Sequence, residues 1–269
     1  FIFADGPKQG ANEKTLADIE ATRKVLRQKQ WCGKVNIIES EENKGLADSI
    51  VSGVTEICES QGKVIVLEDD LVTGKGFLTY MNQALDMYAD DEEVMHIGGY
   101  MYPVKAKLPD TFFFKVMYCW GWATWQRAWR HYRGDAQQLL DELREKGSLN
   151  EFNVHPSNDF TQALESNAAG EIKTWAIKWL TSIYLKRGLC LVPGKSLVRN
   201  IGHDGTGVHC GENDMFADQD IADYVKVKRI PLSESGKARK AMRYYYSRLP
   251  YNFRNRVLNK LQQIVGVKL

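Results

Sequence analysis

The chain has 269 residues, 43% hydrophobic and 11% aromatic, which suits a packed globular core of one large domain or two small ones. Its net charge of +2 hides an asymmetry: residues 237–269 carry nine Lys or Arg and no acid, leaving 27 basic against 34 acidic residues elsewhere, a net −7. No run approaches the roughly 20 apolar residues of a membrane span, and no CxxC pair joins the five widely spaced cysteines, so structural zinc is set aside and reduced thiols in a cytosolic setting are expected.

Phe1-Ile2-Phe3-Ala4 reads as a strand closed by the turn Asp5-Gly6-Pro7. Residues 13–30 show a helical stripe of Leu16, Ile19, Val25 and Leu26. Val35–Ile38 reads as a short strand. Asn43-Lys44-Gly45 opens a helix over 46–60, with Leu46, Ile50, Val54, Ile57 and Cys58 on one side. A central strand follows at 63–71, then a helix over 76–88 with Phe77, Tyr80, Met81, Ala84, Leu85 and Tyr88 inward. Val94–Ile97 and Phe112–Val116 are further strands. Residues 118–132 are unusually aromatic, and two helices are expected within 135–168 and a third over 172–186. Leu189–Val192 is a strand stopped by Pro193-Gly194, and residues 200–211, with four glycines and two histidines, form a loop. The basic stretch from 237 reads as helix in two pieces broken near Pro250. Alternating strands and helices predict an α/β fold: a sheet covered by helices.

The central segment is Val64-Ile65-Val66-Leu67-Glu68-Asp69-Asp70-Leu71. Apolar residues without alternation predict a strand buried on both faces. Three carboxylates at its end repel one another, and a cation relieves that repulsion. Mg²⁺ and Mn²⁺ take oxygen ligands, often one or two carboxylates completed by phosphate oxygens. Ligands in open α/β sheets bind at the carboxyl ends of strands. Glu68-Asp69-Asp70 therefore reads as a metal–diphosphate site, the plainer alternative being a solvated acidic turn. Asp5 ends a strand on the same expected edge, and Asn43, Lys44 and Gly45 precede a helix N-terminus suited to phosphate.

This ordered set resembles a bacterial group of GT-A glycosyltransferases. The likeness rests on Phe3–Pro7, Asn43-Lys44-Gly45-Leu46, the Glu-Asp-Asp segment, Tyr118-Cys119-Trp120-Gly121-Trp122-Ala123-Thr124-Trp125 with Trp129, Trp175-Ala176-Ile177-Lys178-Trp179 and residues 200–210. The Glu-Asp-Asp and Gly-Trp segments are also similar to those of the N-acetylglucosaminyltransferase that initiates hybrid and complex N-glycans. The resemblance implies a GT-A (Rossmann-like) mixed sheet covered by helices, lacking here its first strand and helix. Residues 1–117 would form the nucleotide-sugar half, 118–236 the acceptor half of the same domain, and 237–269 a basic helical extension. It implies a nucleotide-sugar donor, expected to be a UDP-sugar, and Mn²⁺ or Mg²⁺. Asp70 would bind the metal, Asp69 the ribose or metal shell and Asp5 the nucleobase region, with Glu68, Asn43, Lys44 and Gly45 completing the donor side.

An inverting transfer needs a base beside the acceptor hydroxyl. The eukaryotic enzyme's base lies between two tryptophans, where this chain has no acid in Trp175–Trp179. Asp204 in the Gly-rich loop is the first candidate base, followed by Glu171 and Asp159. His209 is a candidate second metal ligand. Trp120, Gly121 and Trp122 are assigned to the acceptor edge, and Trp125 and Trp129 to the core. The expected activity is transfer of a sugar to a hydroxyl of a glycan or lipid-linked glycan in surface polysaccharide synthesis. The expected location is the cytoplasm, peripheral at the inner face of the membrane through 237–269. No nucleic-acid motif accompanies the basic tail. Rival readings are a carbohydrate-binding or scaffolding protein on the same fold, and a nucleotidyltransferase.

Overall fold

A computed structural model describes residues 1–158, 160–202 and 219–248. Its centre is a mixed five-stranded sheet flanked by helices. The strands are β3 (Lys63–Val66), β5 (Val94–Gly98), β6 (Thr111–Phe114), β7 (Trp122–Trp125) and β8 (Leu189–Pro193), in the order β3-β7-β5-β8-β6. β7 runs antiparallel to both β3 and β5, β8 is parallel to β5, and β6 is antiparallel to β8. Two smaller pairs complete the strands. β1 (Ile2–Ala4) lies parallel to β2 (Ile37–Glu39), and β4 (Leu71–Thr73) antiparallel to β9 (Val198–Asn200).

The expected central strand is divided. Hydrogen bonding to β7 ends at Val66, residues 67–70 turn, and Leu71 starts β4 in a different pair. β3 is an edge strand of the five-stranded sheet, and its apolar residues are half-buried rather than sealed on both faces. The continuous apolar run hid the break because Leu67 looks like strand continuation; in the fold it is exposed.

Helix α2 (Leu46–Gln61) packs Val54, Ile57 and Cys58 inward, while Leu46 is exposed. Helix α3 (Phe77–Met87) and its following residue bury all six side chains of the expected stripe. Helix α1 (Glu13–Arg27) has no buried residue among those described; its stripe residues Leu16 and Val25 stay exposed. The second half holds α4 (Gln126–Trp129), α5 (Ala136–Glu145), α6 (Leu149–Phe152), α7 (Phe160–Ala168), α8 (Ala176–Leu185) and α9 (Gly236–Arg248). β7 and β9 carry no legible strand signal. The residues of β7 are spaced so that Trp122, Trp125 and Trp129 mimic a helical stripe, and the pairing that makes 122–125 a strand is long-range.

The core centres on stacked aromatics. Trp122 is fully buried, stacks on His96 at 5.3 Å and on Trp175 at 5.0 Å, and lies 5.8 Å from Trp129. Such rings bury some 150–250 Å² each. His96 is fully buried between them. Its Nε2 lies 3.2 Å from the Tyr118 carbonyl and its Nδ1 accepts from Trp179 Nε1 at 3.4 Å, an arrangement that fits the neutral ring with its proton on Nε2. Burial pushes the imidazole pKa down to about 3, the Tyr118 carbonyl opposing.

The four described cysteines are free. No helix among the described residues is long and apolar enough to cross a membrane. The second half of the basic tail lies outside the described residues.

Neutral His96 makes the core sensitive to acid. The native protein leaves the ring unprotonated down to about pH 3, whereas the unfolded chain takes up that proton near 6.5. The unfolded state binds more protons in between, so this contribution is full above 6.5 and is lost as pH falls toward 3, by up to about 1.4 kcal/mol per unit. Urea unfolding across that window should show a slope that His96→Gln removes; an unchanged slope in the variant would refute the neutral-core assignment.

Candidate functional site

Register places the site. Trp122 is paired with Val66 on one side and with Gly98 on the other, so the three form a row across the sheet. Beyond that row the chain spills over one edge: forward from Val66 into Leu67–Asp70, backward from Trp122 into Gly121 and Trp120, forward from Gly98 into Gly99 and Tyr100. The acidic turn and the Gly-Trp segment, some fifty residues apart, therefore share one sheet edge.

Glu68 is half-buried and Asp69 exposed. Burial, then the neighbouring charges of Asp69 and Asp70, push the Glu68 carboxyl up to about 7. Asp70 is fixed by its backbone and its neighbour. Its carbonyl accepts from the Ile201 amide at 2.9 Å, and the backbone of Gly202 lies against its carboxylate. A Cβ at 202 would stand 2.2 Å from Asp70 Oδ2, so only glycine fits. Buried Asn200 holds that approach by accepting from the Gly202 amide at 2.8 Å. Sequence reasoning missed Asn200 and Gly202 as site residues; the glycine-rich signal at 200–211 marked a loop without saying which carboxylate it meets.

Asp5, Asn43, Lys44 and Gly45 are brought together by direct bonds. One Asp5 oxygen accepts from the amides of Gly6 (2.9 Å) and Lys44 (2.8 Å), the other from Gly45 N (2.9 Å) and Asn43 Nδ2 (3.0 Å). Burial alone would raise the Asp5 carboxyl, but the Lys44, Gly6 and Gly45 amides outweigh it and hold it below its ordinary value. Both oxygens are thus engaged in holding the loop that starts α2. Asp5 acts as the clamp of this corner, which leaves it little capacity for a direct bond to a nucleobase.

On the acceptor side only Trp120 stays at the edge, half-buried and edge-on to Tyr100 at 4.5 Å. Gly121 and Trp122 belong to the core, a correction to their assignment. Gly121 has φ of +61° and is buried; a Cβ there would meet Val198 Cγ2 at 2.8 Å and the Phe77 ring at 3.0 Å. Trp122 points into the aromatic stack because helices cover the sheet at that position.

Glu171 lies in the loop between α7 and α8, exposed, accepting from Ser166 Oγ at 2.8 Å. Asp159, Asp204 and His209 lie outside the described residues.

No three His, Cys, Asp or Glu side chains among the described residues gather as a metal cage. A hard cation held by one or two carboxylates and finished by diphosphate oxygens needs no such cage. Asp69 and Asp70 supply oxygens of that kind beside Glu68, whose carboxyl is raised first by burial and then by the charges of those two neighbours. By donor chemistry, carboxylate oxygens such as those of Asp69 and Asp70 are of the type that Mg²⁺ and Mn²⁺ take.

No family model matches the chain, and no curated protein matches its sequence.

Native Glu68 keeps its proton to about pH 7, while the unfolded chain releases it near 4.5. The native state then binds more protons in that window, so the stability it contributes is present below 4.5 and lost as pH rises through 7. Relative to wild type, Glu68→Gln should therefore gain roughly 1–3 kcal/mol between pH 4.5 and 8. Urea unfolding at the two pH values measures this, and an equal difference at both would mean that Glu68 is ionised throughout.

Proposed function

We propose that this chain is a metal-dependent glycosyltransferase of the GT-A kind, moving a sugar from a nucleotide donor, expected to be a UDP-sugar, to a hydroxyl of a glycan. One observation carries the reading: the register row Val66–Trp122–Gly98, which delivers the acidic turn and the Gly-Trp segment to one sheet edge. The Asp5 clamp adds to it by holding the Lys44–Gly45 entry of α2 in one conformation.

The chemistry follows from these groups. Lys44 and the N-terminal end of α2 offer positive field to diphosphate oxygens. Asp70 and Asp69 would hold the cation, with Glu68 behind them. When bound, the cation supplies charge neutralisation of the departing nucleoside diphosphate. Gly202 and Asn200 keep Asp70 in place, so the ligand geometry is set before substrate arrives. Trp120, half-buried and packed on Tyr100, is the aromatic of the acceptor edge against which a sugar would pack. The attacking hydroxyl must lose a proton, for which Glu171 and Asp204 are the candidate bases. The acceptor belongs to surface glycan synthesis on this reading, with a lipid-linked glycan at the inner membrane face as one form.

Calorimetric titration tests the donor side. UDP, with GDP and CDP as controls, should bind in Mn²⁺ and fail to bind in EDTA for one of the three bases. Asp70→Asn should weaken that binding at least about ten-fold and reduce turnover correspondingly. Metal-independent binding, or an Asp70→Asn protein indistinguishable from wild type, would favour a non-catalytic scaffold instead.

A further inference from the structure

We propose that the cleft between the start of α5, the end of α7 and the start of α8 binds an anionic sugar, one bearing a carboxylate or a phosphate, as the acceptor-side subsite. Its role as an acceptor subsite rests on the sugar-transfer reading above; its preference for an anion does not.

The cleft has a volume of about 350 Å³ and is lined by Asp135, Gln137, Asn167, Ile172, Lys173 and Lys178, among others. That is the size range of small-ligand sites. Two contacts tie it to the elements that carry the candidate site. Trp175, just before α8, stacks on Trp122, a member of the edge row. Lys173 Nζ bonds Asp48 Oδ2 at 2.5 Å, tying the α7–α8 loop to the first turn of α2, three residues beyond Gly45. Glu171, a candidate base, is flanked by the lining residues Gly170 and Ile172.

The charges in the cleft are unbalanced. Asp135 is occupied as the cap of α5, accepting from the Gln138 amide at 3.0 Å. Lys173 has Asp48. Lys178 has no ion-pair partner among the described residues. It is half-buried and occupies the first turn of α8, the positive end of the helix dipole, where a cation is disfavoured. Burial first, then Lys173, lower its ammonium pKa, with Asp48 opposing. A residue placed against its helix dipole and beside a second lysine is stabilised when an oxyanion arrives.

A second basic cleft sharpens the point. It has a volume of about 440 Å³ and gathers Arg130, His131, Arg133, Lys146 and Lys186 around Glu142. Its lysines cap the C-termini of α5 and α8, where cations complement the dipole. Glu142 accepts from both Arg133 (2.5 Å) and Lys146 (2.8 Å). It lies at the other end of α8 from Trp175: Glu142 pairs with Arg133 and Lys146, Arg130 pairs with Glu92, and Lys186, without an ion-pair partner among the described residues, stands where the helix dipole favours a cation. Lys178 stands where the dipole opposes one.

The test uses labelled protein in NMR titrations with methyl glucuronide, glucose 6-phosphate and neutral methyl glucoside, on wild type, Lys178→Gln and Lys186→Gln. At least one charged sugar should bind wild type roughly ten-fold or more tightly than methyl glucoside, the worth of one hydrogen bond to a charged group. Lys178→Gln should erase that preference and Lys186→Gln keep it. Whichever charged sugar wins identifies carboxylate or phosphate. Equal binding of charged and neutral sugars, or equal losses in the two variants, would overturn the proposal. UDP titrated in Mn²⁺ alongside separates the two readings. A charged-sugar preference without UDP binding keeps the anion site and removes the donor reading, and UDP binding without the preference does the reverse.

Discussion

The arrangement depends on β7 pairing antiparallel with two strands at once. Lys63–Val66 and Ile97–Gly98 both hydrogen-bond to Trp122–Trp125. Backbone bonds of this kind set register to the residue, and a slip by one would exchange the two faces of β7. Trp122 would then leave the aromatic stack, and the turn holding Asp69 and Asp70 would lose its alignment with Trp120. The packing of Trp122 between His96 and Trp175 opposes that slip. The core thus fixes the edge that carries the acidic turn and Trp120.

The edge is electrostatically uneven in a useful way. At the acidic turn, three carboxylates crowd with enough burial that Glu68 resists ionisation, while Asp70 is pinned by the Gly202 backbone. At the α2 corner, Asp5 is opposite in character: its charge is spread over four N–H donors and ionises readily. One carboxylate is held by four N–H donors and is structural; Glu68 is raised by burial and by its two acidic neighbours. Further along, Lys178 carries positive charge against its helix dipole. The acidic turn and the Lys173–Lys178 cleft thus differ in sign of charge, and the Lys173–Asp48 pair ties the cleft to the start of α2.

Burial decides which aromatic residues remain available. Trp120, Gly121 and Trp122 are adjacent in sequence, yet only Trp120 reaches the edge. The strand begins at Trp122, and the turn at Gly121 needs a positive φ and a close approach to Phe77. The same logic divides the run 63–71, where pairing with β7 stops at Val66 and pairing with β9 starts at Leu71.

Local pattern was sufficient for much of this. The stripe of α3 and the extents of α2 and β8 follow from periodicity and composition, which act over a few residues. So does the nearness of Asp5 to Asn43–Gly45 as a shared strand-end corner, though not the clamp itself. What tertiary structure alone decided are the long-range pairings: β7 between β3 and β5, β9 against β4, Gly202 on Asp70 and Trp175 on Trp122. These join residues tens to more than a hundred positions apart, and no short-range rule of spacing encodes which distant backbone a strand will meet. The residue types at the site were therefore present in the sequence, while their convergence on one edge, and the removal of Gly121 and Trp122 from it, came from the hydrogen-bond register of the sheet.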